Sequence, residues 1–254
     1  MPTRSKFVEH QHRFFDTADV RHFLWQTRNP YFARTERALL EGFAFGPDDS
    51  VLEVGCGEGG NLANLFTTYG RWPRQLVGVD LFHPKLVFAA EELSAARFVC
   101  ADAGRLPFAD ATFERILCRD LIHHLPEPDA ALRELRRVAR RGGTVWVIEP
   151  NGRNPLVRAL AMMRPHERGQ LRNSVDSITA LVGRHFAGAA VDVRQPLPLS
   201  RALLHYQFGL PSLGRSRAFG TAIERVERAL TAMIPRRRWA YIVARIDEVA
   251  PVRG

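Results

Sequence analysis

The chain has 254 residues, 46% of them hydrophobic and 25% charged, the balance of a globular domain with room for one large core. It has no apolar run of about 18 residues, so no transmembrane helix is expected, and Met1 to Lys6 lack the apolar stretch of a secretory leader. The net charge of +9 invites an anionic partner. Against that, only Lys6 and Lys85 are lysines, and the arginines are scattered rather than interleaved with aromatics. The run Arg133, Arg136, Arg137, Arg140, Arg141 reads as the solvated face of a helix, so no nucleic-acid partner is expected.

Residues 1–20 are polar and mixed, with some helical tendency. From Asp19 to Phe45 the pattern is helical and aromatic-rich, and Pro30 divides it into two helices. Gly46-Pro47-Asp48-Asp49 is a turn. The next stretch carries the most information. Val51-Leu52-Glu53-Val54 is a short buried strand that breaks into Gly55-Cys56-Gly57-Glu58-Gly59-Gly60, and a helix follows over about 59–69. Such a strand–turn–helix presses bare backbone against a nucleotide-like ligand. A second strand, 75–80, ends on Asp80, placed to grip ribose hydroxyls.

The alternation continues. A helix is expected at about 83–94, a strand at 97–101, a strand at about 113–119, a helix at 128–140 and a strand at 144–149. Pro128 and Asp129 suit the start of that last helix, and Arg140-Arg141-Gly142-Gly143 read as its basic end and glycine stop. Repeated strand–helix units give a parallel sheet with helices on both faces, and ligands of such sheets sit outside the carboxyl ends of the strands. Gly55, Gly57, Asp80, Asp102, Arg119 and Glu149 all fall at those ends.

Beyond Asn151 the pattern loosens. A connector over 152–173 with a short apolar helix is followed by a helix at about 174–186 and strands at about 189–194 and 239–246. About 40 residues, 195–235, separate the last two strands, more than a hairpin needs. Within them Phe219, Ile223, Val226, Leu230 and Met233 recur at helical spacing. Three readings stand for this amphipathic helix: packing on the domain, a lid over an apolar substrate, or peripheral contact with a membrane surface. Cys56, Cys100 and Cys118 lie in or beside strands without metal-ligand spacing and read as core residues of a reducing cytoplasm. No histidine is assigned to a metal.

The string Val51 to Gly59, Asp80, Asp102 with Leu106-Pro107-Phe108, the strand 113–117 and His123-His124-Leu125, in that order, resembles the class I S-adenosylmethionine (SAM)-dependent methyltransferases. The likeness is to the group that includes ubiquinone/menaquinone-biosynthesis enzymes and many small-molecule methyltransferases. It covers about residues 30–150 well and the flanks loosely. Glu114 stands where the family usually has Asp.

The resemblance implies a Rossmann-like, seven-stranded, mostly parallel sheet with an N-terminal helical cap (1–45), a methyltransferase domain (46–254) and a helical insertion between the last two strands. It implies SAM as cofactor and S-adenosylhomocysteine (SAH) as product. In its terms Gly55, Cys56 and Gly57 approach the methionine and ribose, and Glu53 helps hold the ammonium. Asp80 accepts from the ribose, Leu81 flanks the adenine, Asp102 and Ala103 bond its edge, and Arg119 contributes through its backbone. His123 and His124 are the candidates for deprotonating an acceptor, with Glu149 to orient or share that proton, a packing or substrate-lining role being the other reading. Strand four ends Cys118-Arg119-Asp120, where methyltransferases of DNA bases carry Asn/Asp-Pro-Pro-Tyr. That counts against base methylation, and the aromatic N-terminal helices and amphipathic insertion favour a small acceptor, apolar, isoprenoid-like or a natural product, methylated on oxygen or carbon. An RNA or protein methyltransferase and a cofactor-binding protein without transfer activity are the alternatives. Oligomeric state is not legible.

Overall fold

A computed structural model describes residues 17–207, 209–247 and 249. The helical tendency expected for the first sixteen residues lies outside them. Two helices come first, α1 (Val20–Arg28) and α2 (Pro30–Leu39), with Asn29 closing one and capping the other through its side chain to the Phe32 N–H. Then β1 (Ser50–Val54), α3 (Gly60–Tyr69), β2 (Gln75–Asp80), α4 (His83–Glu92), β3 (Arg97–Cys100) and β4 (Phe113–Arg119) alternate. They are followed by α5 (Pro128–Val138), β5 (Ala139–Pro150), α6 (Pro155–Met163), α7 (Val175–Gly183), β6 (Ala190–Arg194), α8 (Ser200–Leu203), α9 (Arg217–Thr231) and β7 (Tyr241–Ile246).

The seven strands form one sheet in the order β3-β2-β1-β4-β5-β7-β6. The first five are parallel, and β7 runs antiparallel between β5 and β6. This is the expected α/β, Rossmann-like, mostly parallel architecture. The order reverses at β1, whose neighbours are β2 and β4, so the crevice for a ligand opens above the carboxyl ends of β1 and β4. Side-chain alternation along β1 builds a core on each face. Leu52 and Val54 join Leu132, Leu135 and Val138 of α5 and Ile178 and Val182 of α7. Val51 instead joins Leu39 and Leu40 with Leu62 and Leu65 of α3.

A third, small cluster lies off the sheet. Tyr31 of α2 packs with Leu204 and Ile223, and Phe219 lies against it. The helical start of the chain and the insertion therefore cover each other. Of the apolar stripe expected on α9, Ile223 is buried, while Val226 is 48% exposed. One boundary differs from expectation. α5 stops at Val138, and β5 begins at Ala139, before the glycines, because Ala139 pairs with Phe113 across a bulge at the start of β4. Arg140 and Arg141 are thus strand residues, and Arg140 Nη1 pairs with Glu114.

Candidate active site

One cavity of about 720 Å³ opens over the carboxyl ends of β1, β2 and β4 and runs beneath α1 and the insertion. At one end the chain leaves β1 with Gly55 at φ 80° and Gly57 at φ 52°, left-handed conformations that a side chain would strain. The Gly55 and Cys56 N–H groups donate to Val79 O at 2.8 and 3.0 Å, which lashes the turn to β2. Asp80 faces this turn. Its Oδ2 accepts the Gly57 N–H at 2.8 Å and its Oδ1 the Phe82 N–H at 3.0 Å. Burial holds its carboxyl above the ordinary range, while those N–H groups and Lys85 pull it back.

Gly55, Cys56, Gly57, Asp80, Leu81, Asp102 and Ala103 all line the cavity, as does Arg119. Leu81 is 46% exposed there, an apolar surface suited to one face of an adenine. Asp102 Oδ1 accepts from the Gly104 N–H at 2.7 Å.

Two expected contacts are placed differently. Glu53 is fully buried one layer behind the wall: its Oε1 accepts from Asn61 Nδ2 at 2.6 Å, and its Oε2 has no hydrogen-bond partner among the described residues. Burial, only partly offset by Asn61 and Arg119, pushes its carboxyl up to about 8. An orphaned buried carboxylate oxygen beside the glycine turn fits a cofactor that brings an ammonium. Arg119 is 2% exposed and uses its side chain, not its backbone alone. Its Nη2 meets Glu36 at 2.6 Å and its Nη1 meets Asn61 Oδ1 at 2.8 Å. Glu36 also takes Arg201 Nη2 at 2.6 Å. One carboxylate from α2 thus joins the end of β4 to α8 of the insertion.

At the other end stand His123 and His124, on a 3-10 turn over Ile122–His124. Glu149 stands behind this turn. It is completely buried, and it is absent from the cavity wall. Its Oε1 accepts the N–H groups of Leu121 and Ile122 at 2.9 and 2.7 Å. Its Oε2 accepts from the His123 N–H at 3.3 Å, His123 Nδ1 at 2.7 Å and Asn173 Nδ2 at 3.0 Å. Five donors on two oxygens leave no lone pair for an acceptor's proton, so Glu149 positions the histidine turn. His123 Nε2 in turn lies 3.3 Å from Glu167 Oε2. Burial lowers the His123 pKa, but Glu149 and Glu167 outweigh it and carry it up to about 10. Burial and the neighbouring His123 take His124 down to about 3.

Several wall residues carried no sequence signal. Asp120 sits at φ 53°, a left-handed conformation uncommon outside glycine, and its N–H donates to Ile148 O at 3.0 Å. Glu58 accepts from the Asp19 N–H at 3.2 Å and meets His22 Nδ1 at 3.3 Å and Lys85 Nζ at 3.2 Å, which pins α1 over the glycine turn. These partners outweigh burial and hold its carboxyl down to about 2. Trp25, His205 and Tyr206 form an aromatic patch with centroids 4.8 to 5.5 Å apart. A hydrophobic period from α1 was visible, but its partner residues in the insertion were not. Tyr31, by contrast, is core: its hydroxyl donates to Glu227 at 3.3 Å.

Residues 52–147 match the family described as methyltransferase domain. These residues are a methyltransferase domain, and the sheet they belong to has the class I methyltransferase topology. It is 38% identical over 115 residues to the fatty-acid O-methyltransferase of Mycolicibacterium smegmatis, covering 44% of this chain and 39% of that one. It is 38% identical over 114 residues to the demethylmenaquinone methyltransferase of Roseiflexus sp., covering 43% and 46%. In fold, the methyltransferase domain and its flanks superpose on phosphoethanolamine N-methyltransferase 2 of Haemonchus contortus, with a TM-score of 0.63 and 18% identity over 96% of this chain and 59% of that one. The chain spans about half or less of the length of the curated relatives it matches. SAM is the cofactor of the family. The bare glycine turn, Asp80 and the orphaned Glu53 oxygen fit it.

Proposed function

We propose that the chain transfers a methyl group from SAM to a small acceptor with an apolar body, on oxygen or carbon. The observation that carries this reading is the continuous cavity of about 720 Å³. It joins the glycine turn to an acceptor end roofed by α1 and the insertion, at a volume typical of enclosed small-molecule sites rather than of grooves for a polymer. Bound SAM supplies a methyl already activated on a sulfonium. The residues of the chain then have to bind, orient and exclude water. Asp80 accepts from the ribose, Asp102 and the Ala103 N–H take the adenine edge, and Glu53, protonated in the free protein, gives up its proton beside the methionyl ammonium and balances its charge.

At the acceptor end Trp25, Leu160, Tyr206 and Tyr241 offer apolar surface. Both nitrogens of His123 are already engaged, so His123 lines and shapes this end rather than serving as the resting base. The fatty-acid and menaquinone acceptors named for the two relatives are small and apolar-bodied, which supports the reading. The division into a cap, 1–45, and a methyltransferase domain, 46–254, belongs to the same proposal, with the insertion as a lid. Packing of Ile223 and Phe219 near Tyr31 supports a helix packed on the domain rather than on a membrane, and Arg201, His205 and Tyr206 ahead of it bring the insertion to the cavity. No helix among the described residues is long and apolar enough to cross one.

The test is protein-dependent transfer of labelled methyl from SAM into a lysate of the source organism, followed by partition. Label in the organic-soluble fraction is the expected result. Label confined to nuclease- or protease-sensitive material contradicts the small acceptor.

A further inference from the structure

Three side chains of the acceptor end converge in a way that methyl transfer alone does not require. The ligating atoms of His123, His124 and Glu167 all lie within 4.8 Å of one another. His123 Nε2 is 3.3 Å from Glu167 Oε2, and His124 Nε2 is 4.0 Å from the same oxygen. All three residues line the cavity. We propose that His123 Nε2, His124 Nε2 and a Glu167 carboxylate oxygen hold a divalent transition-metal cation of the Zn²⁺ type in the wall of the acceptor end.

Four features of the chain carry the assignment. The first is spacing. Around a tetrahedral cation with bonds of about 2.0–2.1 Å, donor atoms stand roughly 3.3–3.4 Å apart. The 3.3 Å pair already matches, the 4.0 Å pair reaches it by a movement below about 1 Å, and the two imidazoles, within 4.8 Å, by one of at most about 1.5 Å. The second is the support behind His123. Its Nδ1 lies 2.7 Å from buried Glu149, the carboxylate–histidine arrangement that fixes the ring and turns Nε2 outward to a metal. The third is the way Glu167 is delivered. It sits on a 3-10 turn, Pro165–Arg172, whose Gly169 comes so close that a Cβ there would stand 1.9 Å from His123 O. Only glycine permits that approach, and it also brings Gln170 Nε2 to 3.4 Å from His123 Nε2.

The fourth is the second imidazole. An ion pair of His123 between Glu149 and Glu167 accounts for His123 alone. It gives no reason for His124 Nε2 to face the same oxygen. Two imidazoles and one carboxylate suit Zn²⁺, Co²⁺, Fe²⁺ or Mn²⁺ rather than the all-oxygen sites of Mg²⁺ or Ca²⁺. A cation open to the cavity would accept an acceptor's oxygen as a ligand and so orient it for transfer.

The site is tested by metal binding itself, independently of methyl transfer. Tag-free full-length protein is stripped with chelator and titrated with Zn²⁺ by calorimetry and with Co²⁺ by visible absorption. One equivalent per chain is expected, with the d–d bands of four- or five-coordinate Co²⁺. His124→Asn and Glu167→Gln are each expected to weaken Zn²⁺ binding by about tenfold or more. A variant lacking His10 and His12, a separate His-x-His pair, is expected to bind as the parent does.

SAH binding serves as the folding control for every variant. If His124→Asn or Glu167→Gln fails it, ¹⁵N imidazole spectra of the parent protein decide. Zn²⁺ must then shift two Nε2 resonances and leave Nδ1 protonated on both rings. Absence of stoichiometric binding, binding unchanged in both variants, or binding lost with His10 and His12 overturns the site. If SAH binds and Zn²⁺ does not, the metal assignment fails while the methyltransferase reading stands.

Discussion

Glu149→Gln separates an anchoring role from a chemical one. The carboxylate accepts from two backbone N–H groups on Oε1 and from a backbone N–H, His123 Nδ1 and Asn173 Nδ2 on Oε2. A glutamine amide must turn an NH₂ toward one of these sets. The less costly orientation places it against Leu121 and Ile122, leaving two buried N–H donors facing a donor. Each unsatisfied buried group costs about 1–3 kcal/mol, and the pairing with His123 weakens as well. The expected loss is therefore about 3–5 kcal/mol, a large share of the roughly 5–15 kcal/mol that holds a domain folded. Urea unfolding at pH 7, followed by tryptophan fluorescence, reads it as a fall in midpoint at constant slope. A loss below about 1 kcal/mol accompanied by a large fall in turnover would refute the anchoring argument and return Glu149 to the chemistry.

Other outcomes follow from the same geometry. The Glu53 carboxyl is pushed up to about 8, so the folded state keeps a proton that the unfolded chain, near 4.5, has released. Its contribution is present below about 4.5 and is lost as pH rises to 8, at up to about 1.4 kcal/mol per pH unit. Unfolding measured from pH 5 to 8 should show this decline, Glu53→Gln should flatten it, and a slope unchanged in the variant would contradict it. Glu36→Ala leaves the buried guanidinium of Arg119 and that of Arg201 without their shared carboxylate, for an expected loss of about 3–5 kcal/mol in denaturant unfolding. Cys56 and Cys118 are buried with thiols pushed well up by that burial, whereas Cys100 is exposed. A thiol reagent should thus modify one equivalent in the native protein, and the other two only on unfolding.

What the sequence disclosed and what it hid have physical causes. β1, β2 and β4 were legible because β-branched runs end abruptly on Gly55, Asp80 and Arg119, and backbone geometry ties those ends to the ligand crevice. The start of β5 was not, since Arg140-Arg141-Gly142-Gly143 also describe a helix end, and only pairing of Ala139 with Phe113 decides between the two. The histidine turn could be named, but its surroundings could not. Glu167, Gln170 and Asn173 come from a connector with no apolar period, brought in by the close approach of Gly169. Asn151 and Asn154 offered a faint signal, polar residues directly after a buried strand. They prove to be anchors, with Asn151 Nδ2 donating to Trp239 O at 2.8 Å and Asn154 Nδ2 to Arg238 O at 2.8 Å. The Glu36 link between Arg119 and Arg201 joins three distant segments, and no local pattern announces such a contact.

The central claim is that the cavity end formed by the glycine turn and Asp80 holds SAM. Calorimetric titration of SAH into the full chain and into Asp80→Ala tests it most directly. Two hydrogen bonds from ribose hydroxyls to a carboxylate are worth about 1.5 kcal/mol each, so the variant should bind roughly 150-fold more weakly while remaining folded by circular dichroism. SAH affinity in folded Asp80→Ala equal to that of the parent would contradict the assignment of the cofactor site.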